Sequence, residues 1–211
     1  MKTLVRNVAW LVGGIVLVGL VATAYFVETG LSARSEPGRI ETIAAGMVRR
    51  ISIRARTRGL SNPVPISEDV ISEGRVHFAD HCSVCHGNDG SGTTEMGKGL
   101  YPKTPDMRLP ATQNLSDAEL FYIIENGVRF TGMPAWSTGT KDGEMSSWHL
   151  VHFIRHLPHL TADEIERMEA LNPKSPEEIR QQIEEEKFLQ GPTDVPQPQP
   201  TVTHTHPGAH K

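Results

Sequence analysis

The two cysteines of this 211-residue sequence stand close together in the motif C-x-x-C-H, formed by Cys82, Cys85 and His86. Thiols and an imidazole at this spacing can support three kinds of chemistry. The cysteines can form a disulfide, although a disulfide gives His86 no role. The three side chains can also bind zinc, but His81 is poorly placed as a fourth ligand, and no second Cys or His pair lies at zinc-finger spacing.

The third possibility is covalent haem, because C-x-x-C-H is the attachment signature of a c-type haem. Each thiol would add to one vinyl group, since two intervening residues match the separation of the vinyls. The imidazole of His86 would then lie directly beneath the iron. The motif therefore predicts one covalently attached haem c, with Cys82, Cys85 and His86 as its attachment and ligand residues.

A sixth iron ligand is predicted at Met133, in the stretch GVRFTGMPAW. This methionine lies between Gly132 and Pro134 and outside any helical pattern, which is a poor position for a residue that only fills a core. A thioether opposite an imidazole gives a low-spin iron with a raised reduction potential. Met107 and Met96 are the reserve candidates for this ligand.

Three helices are predicted to position these groups. The first begins after a Ser67 cap and carries Val70, Gly74, Phe78 and Cys82 on one face. The second is marked by a capping box of Ser116 and Glu119 and ends at Gly127, and the third runs from about Ser146 to Leu157. Because no segment alternates as a strand would, the sequence predicts an all-α domain.

The stretch from about Gly74 to Leu157 resembles a class I cytochrome c domain. The resemblance is carried by the helix G-x-x-x-F, the C-x-x-C-H motif, the T-G-M-P loop and the closing helix from Trp148, in the order of that family. It implies that the first and last helices cross at Gly74. It also implies that a proline carbonyl accepts a hydrogen bond from the proximal imidazole; Pro102 is the best match, with Pro105 as the alternative.

The N-terminus contains an uncharged apolar run, Val8–Val27, which is long enough to cross a bilayer as a helix. An uncleaved anchor is favoured over a cleaved signal peptide, although Ala22-Thr23-Ala24 would suit a signal peptidase. Basic residues flank both ends of the apolar run, so the positive-inside rule barely decides which end of the helix is cytoplasmic. The resemblance implies haem attachment outside the cytoplasmic membrane, so we expect a single-pass bacterial membrane protein whose haem domain faces the periplasm.

The sequence divides into five predicted segments. A transmembrane anchor or uncleaved signal (1–27) precedes an Arg-rich linker (28–66), in which ordered structure is not expected before Ser67. The cytochrome c domain (67–160) follows, and then an acidic helical extension (161–190) that is expected to lie on the surface. A His- and Pro-rich tail (191–211) lacks the apolar residues for a core and is expected to be disordered.

Within the linker, five arginines between Arg49 and Arg58 are interpreted as a solvated strip, or alternatively as a docking strip for lipid headgroups or an acidic partner.

Several other residues have two interpretations. His149, His152 and His156 share one side of the last helix, which favours a solvated polar face over a metal site. Trp136 can pack against the haem or simply cover the domain. The tail histidines, His204, His206 and His210, can bind copper or zinc weakly, but a functionless tail is favoured.

These features predict a membrane-tethered carrier of single electrons between respiratory proteins. The net charge of −4 argues against nucleic-acid binding. We expect no independent catalysis and no small-molecule substrate, because no base, nucleophile or open metal position is evident. The alternatives are a fixed haem c subunit of a larger membrane oxidoreductase and, less favoured, a haem-based ligand sensor.

Overall fold

The computed structural model describes residues 1–30 and 32–190, and every regular element in that part of the chain is helical. This confirms the predicted all-α fold. A π-helical turn, Phe78–Cys82, joins the third helix to the fourth, and a 3-10 turn, Leu157–His159, follows the eighth. The helices are α1 Lys2–Thr29, α2 Arg39–Arg56, α3 Glu68–His77, α4 Ser83–His86, α5 Glu95–Gly99, α6 Pro110–Gln113, α7 Asp117–Asn126, α8 Lys141–His156, α9 Ala162–Glu169 and α10 Pro176–Gln190.

The crossing of α3 and α8 is the centre of the domain, and it depends on Gly74. A Cβ atom at this position would lie 2.4 Å from the carbonyl oxygen of His149 and 2.9 Å from Cβ of Phe153. The two helices can approach this closely only because residue 74 has no side chain. The predicted crossing at Gly74 is therefore present.

We expect Gly74→Ala to destabilise the protein by about 3 kcal/mol, near the upper end for overpacking, because the added methyl group meets backbone atoms. The matched control is Gly46→Ala in α2, where a Cβ atom meets nothing within 4 Å. That change should stabilise the protein by up to about 1 kcal/mol through helix propensity. Denaturant unfolding of the two variants measures both effects. Equal midpoints for the two variants would show that the crossing is not tight.

Aromatic pairs fill the space around this crossing. The ring of Phe78 lies 5.1 Å from that of Phe153, and the ring of Phe121 is stacked on Trp148 at 4.0 Å. Such pairs add about 1 kcal/mol beyond the area they bury. They connect the π-helical turn, α7 and α8 into one apolar core, to which the buried Val64 also belongs.

The caps predicted for α3 and α7 are confirmed. Ser67 accepts a hydrogen bond from the Val70 amide, and Ser116 and Glu119 form a complete capping box. Helix α8 begins earlier than predicted, at Lys141 rather than near Ser146. Its first turn is polar and gives no amphipathic signal, but the Thr140 side chain caps it by accepting from the Gly143 amide.

The expectation that ordered structure begins near Ser67 is wrong. Helix α2 occupies much of the segment predicted as a linker, and Ile53 and Thr57 at its end are buried. Arg54 donates from Nε to Oε1 of Glu119 on α7 at 3.2 Å. The apolar residues of α2 do recur at helical spacing from Ile40 to Ile51, but the prediction gave more weight to the glycines, prolines and arginines of the segment.

The side chains of α9 and α10 are mostly exposed, as expected, but α9 is also docked into the core at one position. Met168 on α9 is completely buried in the core. Glu164 adds polar contacts that hold this short helix to α3 and α8. Helix α10 belongs to a separate compact unit that begins at Lys174, and its described side chains are exposed.

Glu164 connects α9 to α3 and α8. Its Oε1 accepts from Arg75 at 3.2 Å and from His156 Nε2 at 2.9 Å, and its Oε2 accepts from the Thr161 amide. Burial alone would raise the pKa of this carboxyl, but hydrogen bonds from Thr161 and His156 outweigh it and lower the pKa to about 2. The folded protein therefore favours the ionised carboxylate.

We expect Glu164→Gln to lower the free energy of unfolding by about 1–2 kcal/mol at pH 7. Because the pKa of Glu164 is lower in the folded state, its contribution is complete above about pH 5 and is lost as the pH falls towards 2. The difference in the free energy of unfolding between wild type and variant should thus become smaller from pH 7 to pH 3, as measured by denaturant unfolding. Glu166→Gln removes the same charge at an exposed position. It should leave the free energy of unfolding close to that of wild type at both pH values.

Helix α1 is long and apolar enough to cross a membrane over Lys2–Glu28, and none of its apolar window is buried within the protein. A signal sequence near the N-terminus has the same properties. The choice between an anchor and a cleaved signal therefore stays a prediction. The tail 191–211, with the disorder and weak metal binding expected of it, lies outside the described residues.

Candidate haem site

The C-x-x-C-H motif lies at the end of an unbroken helical path through α3, the π-helical turn and α4. Phe78 and Ala79, at the start of the turn, are completely buried and fix it to the core. Ser83 donates a hydrogen bond to the carbonyl of Ala79 at 2.6 Å. Gly87 ends α4 with a φ of 72°, in the left-handed region that favours glycine. The motif is therefore held on a rigid element.

Both cysteines are free thiols, so no disulfide joins them. Burial, and then the neighbouring Cys85, raises the pKa of Cys82 to about 12, and burial also raises the pKa of Cys85. Burial thus disfavours the thiolate form of both side chains. Within residues 1–30 and 32–190, no group of three or more His, Cys, Asp or Glu side chains is arranged to hold a metal ion. The structure thus shows no disulfide, and both thiols stay available for haem attachment.

His86 has the properties of an imidazole that is ready to bind a metal. It is only 9% exposed, and burial lowers its pKa to about 4, so the neutral ring predominates at pH 7. Its Nδ1 is buried without a hydrogen-bond partner in the described part of the chain. An orphaned buried ring nitrogen is costly in a protein core. A ring that binds iron through Nε2 needs a hydrogen-bond acceptor for Nδ1, which the described residues do not supply here.

The hydrogen bond predicted between His86 Nδ1 and the Pro102 carbonyl is absent in this structure, because Nδ1 has no partner among the described residues. The contribution of Pro102 to haem binding therefore stays a prediction. Residues near it nevertheless belong to the site. Gly97 lies so close to the motif that a Cβ atom on it would be 2.4 Å from the carbonyl oxygen of Cys85, and Leu100 lies against Gly132.

Met133 lies on an irregular loop between α7 and α8, as predicted, and is half-buried. Its amide donates to Thr131 Oγ1 at 3.1 Å, and its carbonyl accepts from the Val128 amide at 3.1 Å. A Cβ atom on Gly127 would lie 2.6 Å from that carbonyl, and the φ of 64° at Gly127 also favours glycine. Backbone contacts on both sides thus fix the position of Met133.

Two contacts connect the Met133 loop to the cysteine motif. The segment from Gly97 to Leu100 contacts the motif at one end and Gly132 of the loop at the other. On another side, the ring of Trp136 meets the ring of His81 edge to face at 5.5 Å. The structure therefore brings the predicted attachment residues and the Met133 loop into one region. The roles of Leu100 and His81 were not predicted, because these contacts join residues far apart in sequence.

The three histidines of α8 do not form the solvated face that was predicted. His152 is buried, and its Nε2 lies 2.9 Å from the Val64 carbonyl. His149 pairs with Glu73 at 2.8 Å, and His156 pairs with Glu164. Segments before α3 and after α8 cover this side of the helix, which the helical pattern alone could not show.

Comparison with known families agrees with this geometry. Residues 69–154 match the family model described as cytochrome C oxidase, cbb3-type, subunit III, a match that runs from the first turn of α3 nearly to the end of α8. Residues 69–154 are a c-type cytochrome domain. Membership implies haem binding and a role in electron transfer, and it fits an electron carrier better than a catalytic enzyme. A search of curated proteins finds no match for the chain.

Proposed function

We propose that the protein is a membrane-tethered c-type cytochrome that carries single electrons in a bacterial respiratory chain, with its haem domain in the periplasm. The observation that carries the proposal is the presence, within a c-type cytochrome domain, of two free thiols, a buried imidazole and a methionine loop fixed by hydrogen bonds. Cys82 and Cys85 would attach one haem, and His86 and Met133 would be its axial ligands.

A haem held by these residues would supply the redox chemistry, because its iron can take up and release one electron. The protein's residues contribute rigidity. His86 is on a helix that continues from the core, and the backbone of Met133 is hydrogen-bonded on both sides of the residue. Fixed ligands keep the geometry similar in the two oxidation states, so little rearrangement accompanies electron transfer. A thioether ligand also stabilises the reduced state and raises the potential.

The proposed tether is α1, which has the length and composition of a membrane span. A tether confines the domain near membrane-bound partners and raises their effective concentration without new contacts. The proposed five-part organisation places this anchor first and the cytochrome domain at 67–160. The docking of α9 supports an extension of the folded unit to Pro173.

A second candidate is a fixed haem c subunit of a larger membrane oxidoreductase. It is favoured by the description of the matching family, which names a subunit of an oxidase. Gentle solubilisation separates the two candidates, since a fixed subunit would migrate with large polypeptides and a carrier would migrate alone.

The proposal is tested on the protein extracted from membranes. The intact mass should exceed that of the polypeptide by one haem, and acid–acetone should leave the pigment on the protein. The mass also shows whether the N-terminal segment is retained. A colourless protein, or a pigment that acid–acetone removes, would contradict covalent attachment.

A further inference from the structure

Helix α2 has two faces with opposite surroundings. Ile53 is 7% exposed, and its face of the helix contacts α7 of the cytochrome domain. The ion pair between Arg54 and Glu119 secures the same end of α2. At about 100° per residue, the opposite face is formed by apolar side chains that point away from the domain. We call this set the α2 stripe: Ile40, Ile43, Met47, Val48 and Ile51.

The α2 stripe is unusually exposed for a helix whose other face is docked. Its five side chains are between 59% and 86% exposed. They follow the spacing i, i+3, i+7, i+8 and i+11, so they form a continuous apolar band nearly three turns long. Contiguous exposed apolar surface of this kind indicates a partner or a membrane.

The position of α2 in the chain points to a membrane. Its N-cap, Gly38, is placed so that a Cβ atom would lie 3.6 Å from the hydroxyl of Tyr25, near the end of α1. The connecting segment is also fixed to the domain, because Lys103 Nζ donates to the Ala33 carbonyl at 3.1 Å. If α1 crosses the bilayer, α2 therefore begins next to the point where the chain leaves it.

The charges of α2 suit anionic lipid headgroups. Arg39 and Arg50 lie along one edge of the α2 stripe by helix geometry, whereas Arg54 is paired with Glu119 of the domain. The helix has a single acidic residue, Glu41, and its carboxylate is hydrogen-bonded to the Tyr101 hydroxyl. Basic side chains beside an apolar band are the pattern of helices that lie in the membrane interface.

We propose that α2 lies in the plane of an anionic phospholipid bilayer, with the α2 stripe at the boundary of the acyl chains and Arg39 and Arg50 at the phosphates. The proposal rests on membrane insertion of α1, which is part of the proposed function. Because Ile53 and Arg54 fix α2 to the domain, an interfacial α2 would hold the cytochrome domain in one orientation on the membrane. A single flexible tether could not do this.

The test uses the full-length holoprotein in nanodiscs that hold one copy each and contain phosphatidylglycerol and brominated phosphatidylcholine. Two variants, Met47→Trp on the stripe and Ala45→Trp on the other side of the helix, are compared in a Trp10→Phe background. The fluorescence of Trp136 and Trp148 is measured in the Trp10→Phe protein and subtracted from the fluorescence of each variant. We expect bromine to quench the M47W fluorescence at least twofold more than the A45W fluorescence.

The insertion of α1 is measured separately, as quenching of Trp10 in the unmodified protein. If Trp10 is quenched and M47W is no more quenched than A45W, the proposal for α2 is wrong while the tether stands. A stripe covered by a second copy or by a protein partner would give that result, since each disc holds one copy. If M47W is quenched equally in discs without phosphatidylglycerol, the proposed role of the arginines is wrong. An unquenched Trp10 would overturn the membrane tether, and the proposal for α2 with it.

Discussion

Replacing both cysteines, Cys82→Ala and Cys85→Ala, is expected to abolish covalent haem attachment. Each thioether requires one of these thiols, and the sequence offers no other cysteine. The pigment retained after acid–acetone extraction should fall to background, and the intact mass should equal that of the polypeptide alone. Loss of the attached haem should also remove the apolar group around which the domain packs, so we expect the thermal unfolding midpoint to fall sharply.

The matched control is Val84→Ala, which changes an exposed side chain between the two cysteines and leaves both thiols. This variant should retain its full content of attached haem. Pigment that withstands acid–acetone in the double-cysteine variant would contradict thioether attachment. Stoichiometric zinc in the purified wild-type protein would support the metal-site interpretation instead.

Replacing the proposed sixth ligand, Met133→Ala, is expected to have the largest effect on redox properties. The sulfur-to-ferric-iron charge-transfer band near the red edge of the visible spectrum should disappear. The reduction potential should fall on the order of 0.1–0.3 V, because the thioether stabilises the ferrous iron and axial ligands set potentials over a range of about 0.8 V. Visible spectra and a redox titration measure the two effects, and the attached haem content should be unchanged.

The reserve candidates provide the controls for this measurement. Met96→Ala changes an exposed residue, and Met107→Ala changes one packed against the core. Neither should alter the band or the potential substantially, although M107A should cost some stability. If M107A removes the band and M133A does not, the axial ligand has been misassigned. A band that survives all three changes would show that the sulfur ligand lies elsewhere.

Local sequence signals predicted much of the fold. The capping boxes that begin α7 and α9 and the serine cap of α3 depend on side chains within one turn of the amides they bind. Such bonds form in nearly any tertiary setting, so their residue patterns can be interpreted directly. The start of α8 was missed because the polar turn at Lys141–Glu144 has no apolar periodicity.

The candidate site was only partly predictable. The C-x-x-C-H spacing is a property of the covalent chain. The loop position of Met133 follows from the glycine and the proline on either side of it. The contact of His81 with Trp136 and the placement of Leu100 against Gly132 join distant segments, and no local pattern encodes them. The hydrogen bond expected from the His86 imidazole to a proline carbonyl is not found among the described residues, so it stays a prediction.

The sequence by itself determined the helical class, the haem-attachment motif and the presence of an apolar N-terminal helix, because each depends on residues close together in the chain. Only the tertiary structure decided which helix faces are covered. It buried His152 beneath the Val64 carbonyl, buried Met168 in the core, and docked α2 with its apolar stripe facing outward. Burial depends on which segments pack on a surface, and that is settled by the free energy of the whole fold rather than by any one pattern.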